Sequence, residues 1–158
     1  MFLPRIALFM GLVISGVAQA AGGVSLTTEL YQEVTVTNAQ GVVEKQMKPA
    51  AMITPGLPLA VVISYENKGT QAAEKVEIKN PLAPQLAFTG EASGAGAAVD
   101  YSVDGGKSYA GLAALKVPAA DGKLRAALVS DVNAIRFKLI KPVQPGESGK
   151  VEFRASVR

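Results

Sequence analysis

Residues 151–158 alternate without a break: Val151, Phe153, Ala155 and Val157 are apolar, while Glu152, Arg154, Ser156 and Arg158 are polar. Successive side chains of an extended strand point to opposite faces, so a period of two gives one oily and one charged face. The same rhythm returns in Ile135, Phe137 and Leu139 against Arg136 and Lys138, and in Leu59, Val61, Ile63 and Tyr65. It recurs in Val76 and Ile78 against Glu77 and Lys79, and in Val99, Tyr101 and Val103. Beyond the first twenty residues no window sustains a 3.6-residue period over ten positions. Short alternating runs with turn signals about every 8–12 residues predict an all-β chain folded as an antiparallel β-sandwich.

Turn residues set the boundaries. Residues 24–30 and 34–37 read as two strands, Asn38-Ala39-Gln40-Gly41 as a turn, and Val42-Val43-Glu44-Lys45 as a returning arm that Pro49 ends. The run from Leu59 predicts a central strand, apolar on both faces at its start, closed by Asn67-Lys68-Gly69-Thr70. Asn80-Pro81 stops the next strand, because proline cannot donate to a ladder. Leu86-Ala87-Phe88-Thr89 reads as a short strand, and the Gly, Ala and Ser of residues 90–96 as a flexible surface loop. Asp104-Gly105-Gly106-Lys107 predicts a hairpin turn between Tyr101 and Tyr109. Leu115 and Val117 form a further strand before Pro118 and Asp121-Gly122, and residues 124–133 read as loop. The last two runs, joined through Pro142 and Pro145-Gly146, read as adjacent strands of a half-exposed sheet.

The chain opens with Arg5 ahead of an apolar stretch from Ile6 to Val17, then Ala18-Gln19-Ala20, the order of a secretory signal peptide cleaved after Ala20. The stretch falls short of the roughly 20 apolar residues that span a bilayer. No cysteine follows the cleavage point, which rules out a lipid anchor there, and no second long apolar run occurs. Export to the periplasm is expected, or residence outside the cell or at its surface, without stable membrane insertion after cleavage. Of 158 residues, removing 20 leaves 138, enough for one domain with its own core.

Cysteine and histidine are both absent. The apolar core alone must therefore hold the fold, with no disulfide. Without imidazole or thiolate there is no Ser-His-Asp or Cys-His nucleophile, no His or Cys zinc site and no ordinary copper site. Arg5 is the one charged residue of the leader, so fifteen basic residues face thirteen acidic ones in the remainder, a formal charge of +2. That charge, scattered one or two residues per strand, does not form a nucleic-acid-binding stripe.

The order of motifs resembles the DUF11-type domain of bacterial surface and envelope proteins. Pro55-Gly56 precedes a strand, then come Ser64-Tyr65-Glu66-Asn67-Lys68-Gly69 and Val76-Glu77-Ile78-Lys79-Asn80-Pro81-Leu82. Tyr101-Ser102-Val103-Asp104-Gly105-Gly106, Ala134-Ile135-Arg136-Phe137 and Pro145-Gly146-Glu147-Ser148-Gly149-Lys150-Val151-Glu152-Phe153 continue the likeness, which covers about residues 55–158. The resemblance implies an immunoglobulin-like fold outside the cytoplasm, and brings no catalytic residues. Only one copy occurs, and the chain stops within a strand with no sorting signal or anchor, which favours a small free envelope subunit over a long stalk. The expected organisation is a signal peptide at 1–20, strands or a hairpin at 21–50 that belong or attach to the sandwich, and a DUF11-like domain at 51–158.

Ser102, Asp104, Gly105, Gly106 and Tyr109 carry a second likeness, to the S-x-D-x-G-x-S-aromatic hairpin of sialidases and related propellers. There the aspartate accepts backbone N–H bonds and the ring buries itself, so these five are expected to build a turn. A propeller needs repeated blades, and only one copy is present. Asp100, Asp104, Asp121, Asp131 and Glu147 all fall in or beside turns, and do not read as the paired carboxylates of a glycosidase. They are equally far from a ligand-dense calcium loop. Tyr65 and Tyr101 are in phase with core positions, and Tyr31 and Tyr109 alone make a poor sugar platform without tryptophan. Met47 and Met52, lacking any histidine, read as filler.

No catalytic, cofactor or metal site is expected, and no enzymatic activity. The leading expectation is a structural or protein-interaction module, in which the polar strands of residues 24–48 offer a sheet edge to another envelope protein or to a second copy. The alternative is a small-ligand or carbohydrate-binding module using the loops at 90–96, 104–109 and 121–133.

Overall fold

A computed structural model describes residues 23–50 and 53–158. The signal peptide expected at 1–20 and Met52 lie outside those residues. The described chain forms β1 (Val24–Thr37), β2 (Val43–Pro49), β3 (Pro58–Asn67), β4 (Glu77–Pro81), β5 (Leu86–Gly94), β6 (Ala97–Ser102), β7 (Lys116–Pro118), β8 (Leu124–Ala126), β9 (Ala134–Leu139) and β10 (Ser148–Val157). Two short turns of 3-10 helix, Leu112–Ala114 and Val129–Asp131, complete it. The protein is all-β, with every strand pair antiparallel. One sheet has the order β2-β1-β3-β10-β5, a second β4-β9-β6, and β7 pairs with β8 alone.

The apolar phase of each strand faces a single core. From the larger sheet come Leu59, Val61, Ile63, Phe88, Val151 and Phe153, and from the smaller Ile78, Ile135, Phe137 and Leu139. Ile63, Ile78, Ile135 and Phe137 are fully buried. Phe88 bridges the sheets, with its ring centroid 5.3 Å from that of Tyr101 on β6 and 6.5 Å from that of Phe153 on β10. β3 is the centre of the larger sheet, and Leu59 and Ala60 are both buried at its start. Tyr65 lies across from Gly149, where a Cβ would strike the phenol, so the missing side chain makes room for the ring.

Asn67, fully buried at the end of β3, ties three stretches of chain together. Its Nδ2 donates to the carbonyls of Gln71 and Val143, both at 2.8 Å, and its Oδ1 accepts from Gly69 N–H at 2.9 Å. Its backbone bonds to Glu147 O and from Gly146 N–H. Every polar atom of the side chain is satisfied, as burial requires.

Four sequence expectations need correction. Residues 24–37 are one strand, not two, because β1 changes partner midway: it pairs with β3 from Val24↔Asn67 to Gln32↔Leu59 and with β2 from Tyr31↔Pro49 to Thr37↔Val43. Ladder bonds on one side or the other carry the backbone straight through the polar Tyr31-Gln32-Glu33. Residues 90–94 are strand, not flexible loop. The β5–β10 register breaks where Phe153 faces Ala92 and Ala155 faces Phe88, and Gly90, at φ +105°, absorbs the bulge. Gly94 packs so closely that a Cβ there would approach Val151 Cγ1 to 2.5 Å. Leu124–Ala126 is also strand, paired with β7 although exposed. Finally, β9 and β10 are neighbours in sequence but sit in different sheets, since the chain between them crosses over, pairing Val143 with Ala73.

Candidate functional site

The Asp104 turn follows directly on β6. Ser102 is fully buried, and its hydroxyl donates to Asp104 Oδ1 at 2.7 Å while accepting from Gly106 N–H at 2.9 Å. Asp104 Oδ1 accepts from the N–H groups of Lys107 and Ser108, each at 3.0 Å, and Oδ2 accepts from the Ser108 hydroxyl. These bonds hold the Asp104 carboxyl far below the usual carboxylate range, the Ser108 hydroxyl contributing most. Gly105 and Gly106 take φ +77° and +85°, and a Cβ on Gly106 would meet the Tyr109 hydroxyl at 2.8 Å. Gly105 N–H reaches Asn133 Oδ1 at 2.9 Å, a strut from a distant loop. The hairpin beyond the turn reduces to one bridge, Tyr101 with Ala110.

Tyr109 is half-buried beneath Arg136, whose guanidinium carbon stands 4.7 Å from the ring centroid. Arg136 sits at the middle of the β4-β9-β6 sheet, between Glu77 Oε1 at 3.3 Å and Asp100 Oδ2 at 2.7 Å. Lys138 Nζ also reaches Asp100 Oδ2 at 2.7 Å. The hydrogen bond from Lys138 and then that from Arg136 push the Asp100 carboxyl down. Asp100 thus lies within β6, with a turn close on either side of that short strand. The sign alternation across the three strands places opposite charges side by side.

The remaining acids are held by donors. Asp131 forms a two-pronged pair with Arg125, at 2.7 and 2.9 Å, and accepts from Leu128 N–H, which lowers it to about 2. Asp121 accepts from Lys123 N–H and Glu147 from Gln144 N–H. Where the fold perturbs an acid, it favours the ionised form, the opposite of what a general acid needs. Among the described residues no group of three carboxylates gathers where a metal ion could sit, and no helix is long and apolar enough to cross a membrane. The tyrosines are dispersed: Tyr65 and Tyr101 lie against the core, Tyr109 under Arg136, and Tyr31 bonds to Glu29 at 3.1 Å. Of the three loop segments, residues 90–94 are strand, while the turns at 104–109 and 121–133 meet at the Gly105 to Asn133 bond.

The second candidate is the arm made by the end of β1, the turn and β2. β3 stops accompanying β1 at Gln32, so residues 33–37 pair only with β2, and this two-stranded ribbon extends beyond the sheet. Asn38 closes it, its Oδ1 accepting from Gln40 and Val42 N–H and its Nδ2 donating to Glu44 at 2.8 Å. Val24, Leu26 and Leu30 pack against the core, whereas no residue of 31–49 does. Of the polar segment at 24–48, the first part is thus anchored in the sandwich and only the second stands clear of the core. β2 is exposed along its whole length, with Val43 65% and Met47 41% accessible, and Val42 beside it 54%.

β2 is also an open edge. The bonds from Ala50 N–H to Leu30 O and from Asn38 N–H to Val42 O fix which backbone groups face β1. By the alternation of an antiparallel ladder, Glu44, Gln46 and Lys48 bond inward, while Val43, Lys45 and Met47 turn their N–H and C=O outward. Pro49 shares that outward phase with a carbonyl but no N–H. The flank of β1 from Val24 to Glu29, which β2 does not reach, is open as well, whereas three other edges are blunted. β5 is bulged and has Val129 over Gly90, β4 ends in Pro81, and β6 has Ala110 bridged to Tyr101. Comparisons with protein-family models, with curated proteins and with solved structures find no match to this chain.

Proposed function

We propose that this chain is an exported, non-catalytic structural or protein-interaction module of a bacterial cell envelope, an immunoglobulin-like β-sandwich of the DUF11 type that engages another protein along its β1–β2 arm. Two antiparallel sheets sharing one core support the sandwich, the motif order supports the family, and the leader supports export to the periplasm. The absence of histidine and cysteine, together with acids driven toward ionisation, supports a role without catalysis.

The carrying observation is the arm itself. An isolated two-stranded hairpin is marginal in water. Here one extends from the sheet with no core contact, an open edge and exposed Val42, Val43 and Met47. Strand addition would satisfy its outward backbone groups and cover those side chains. A photo-crosslinking residue at Lys45, and as control at Lys123 on the β7–β8 turn, tests this in native cells. The expected result is one defined product from position 45 and none from 123. Equal labelling from both positions, or none from either, overturns the reading, and fractionation of the same cells tests export.

A further inference from the structure

We infer that the strand added to β2 is β2 of a second copy of this chain, paired antiparallel about a two-fold axis through Gln46. The inference rests on the arm being the binding element, and names its occupant and register.

The argument starts from parity. In a two-fold antiparallel pair, residues with outward backbone groups must face one another, so Val43, Lys45, Met47 and Pro49 meet the same set. An axis through any one residue of β2 satisfies this, and charge chooses among them. Centring on Lys45 sets that ammonium against itself, and centring on Glu44 sets that carboxylate against itself, which destabilises a sheet. Centring on Gln46 places Glu44 opposite Lys48 of the second copy, and Lys48 opposite its Glu44. These fall at non-hydrogen-bonded positions, where facing side chains approach closest. Lys45 and Met47 of the second copy then exchange both backbone bonds. Val43 faces Pro49 of the second copy and donates to its carbonyl, while the Val43 carbonyl, which proline cannot serve, stays with solvent at each end of the pairing.

Lysines and a proline on an edge usually discourage pairing. The sequence Glu44-Lys45-Gln46-Met47-Lys48 differs because its inward-bonding positions carry opposite signs at equal distances from a neutral centre, so a second copy meets complementary charge. The chain's own contacts leave this possible. Glu44 uses one carboxylate oxygen for Asn38, and Lys48 is in no ion pair among the described residues, whereas Lys45 is engaged with Glu33 at 2.7 Å. The other free flank, β1 from Val24 to Glu29, carries one charge only, Glu29, and offers no such match. The product would be an isologous dimer with one continuous sheet across both copies.

The test uses single thiols, which this cysteine-free chain permits. In the proposed register the two Gln46 Cα atoms lie about 4.5 Å apart, within disulfide range. The two Glu44 Cα atoms lie roughly 13 Å from each other, four residues out of step. Oxidation with copper phenanthroline should convert Gln46→Cys to covalent dimer and leave Glu44→Cys and Lys45→Cys monomeric. Sedimentation supplies the second arm. Glu44→Lys and Lys48→Glu should each weaken self-association roughly tenfold by setting like charges opposite. An equimolar mixture of the two should recover it, because each then meets the other's opposite sign. Cross-linking at position 44 or 45 as readily as at 46, or a monomeric wild type at millimolar concentration, overturns the inference. Should the wild type be monomeric while position 45 still captures a different protein in cells, the arm keeps its role and only the second copy is refuted.

Discussion

Ser102 and Asp104 show how a few hydrogen bonds fix a turn that carries almost no apolar weight. Ser102→Ala strips the acceptor from Gly106 N–H in a buried place, and urea denaturation should show a loss of about 1–3 kcal/mol. Asp104 sets a pH dependence whose sign follows from its lowered pKa. The unfolded carboxyl binds its proton near pH 4, the folded one only at lower pH. Its contribution is therefore complete above that range and disappears as pH falls through the folded value. Asp104→Asn should flatten the acid limb of the stability curve and leave the neutral region's slope unchanged, as read by thermal melts from pH 2 to 7. The spacing of Ser102, Asp104, Gly106 and Ser108 made this turn readable, since each bond spans at most four residues. Asn133, which braces it, and Arg136, which covers Tyr109, were not readable as partners, because their contacts depend on β9 lying beside β6.

Among the elements, β4 and β10 follow their alternation closely, because each has one face in the core and one outside, whereas β3 and β9 bury both faces where they begin. The misread segments have physical reasons. Gly90 and Gly94 stand where a bulge needs a positive φ and where Val151 presses on the backbone, so close packing imitates the composition of a linker. β8 pairs without burying anything, and so leaves no hydrophobic trace. The arm was legible as a hairpin but not as a projection, since where β3 releases β1 is a matter of register. Its independence can be tested. Replacing residues 33–48 with a short Gly-Ser linker removes no core side chain, and should alter stability to urea by less than about 1 kcal/mol. The same replacement should abolish self-association.

At the scale of the molecule, the partition into sheets joins distant sequence. Val61 pairs with Phe153, and β3 takes β1 on one side and β10 on the other. Such non-local pairing places folding in roughly the millisecond-to-second range by stopped-flow fluorescence or circular dichroism, slower than helical proteins of this size. No alternation pattern could assign β9 and β10 to different sheets, because that choice is made by the crossing chain around Val143. Asn67 holds that crossing in place, and its chemistry has a consequence for the protein's lifetime. Loss of ammonia from this one side chain would convert it to aspartate, nearly identical in shape. The carbonyls of Gln71 and Val143 would then confront oxygen lone pairs where two N–H bonds had been. Complete enclosure keeps water from the amide while the sheets stay closed, so the rate at which old molecules fail should follow how often this corner opens.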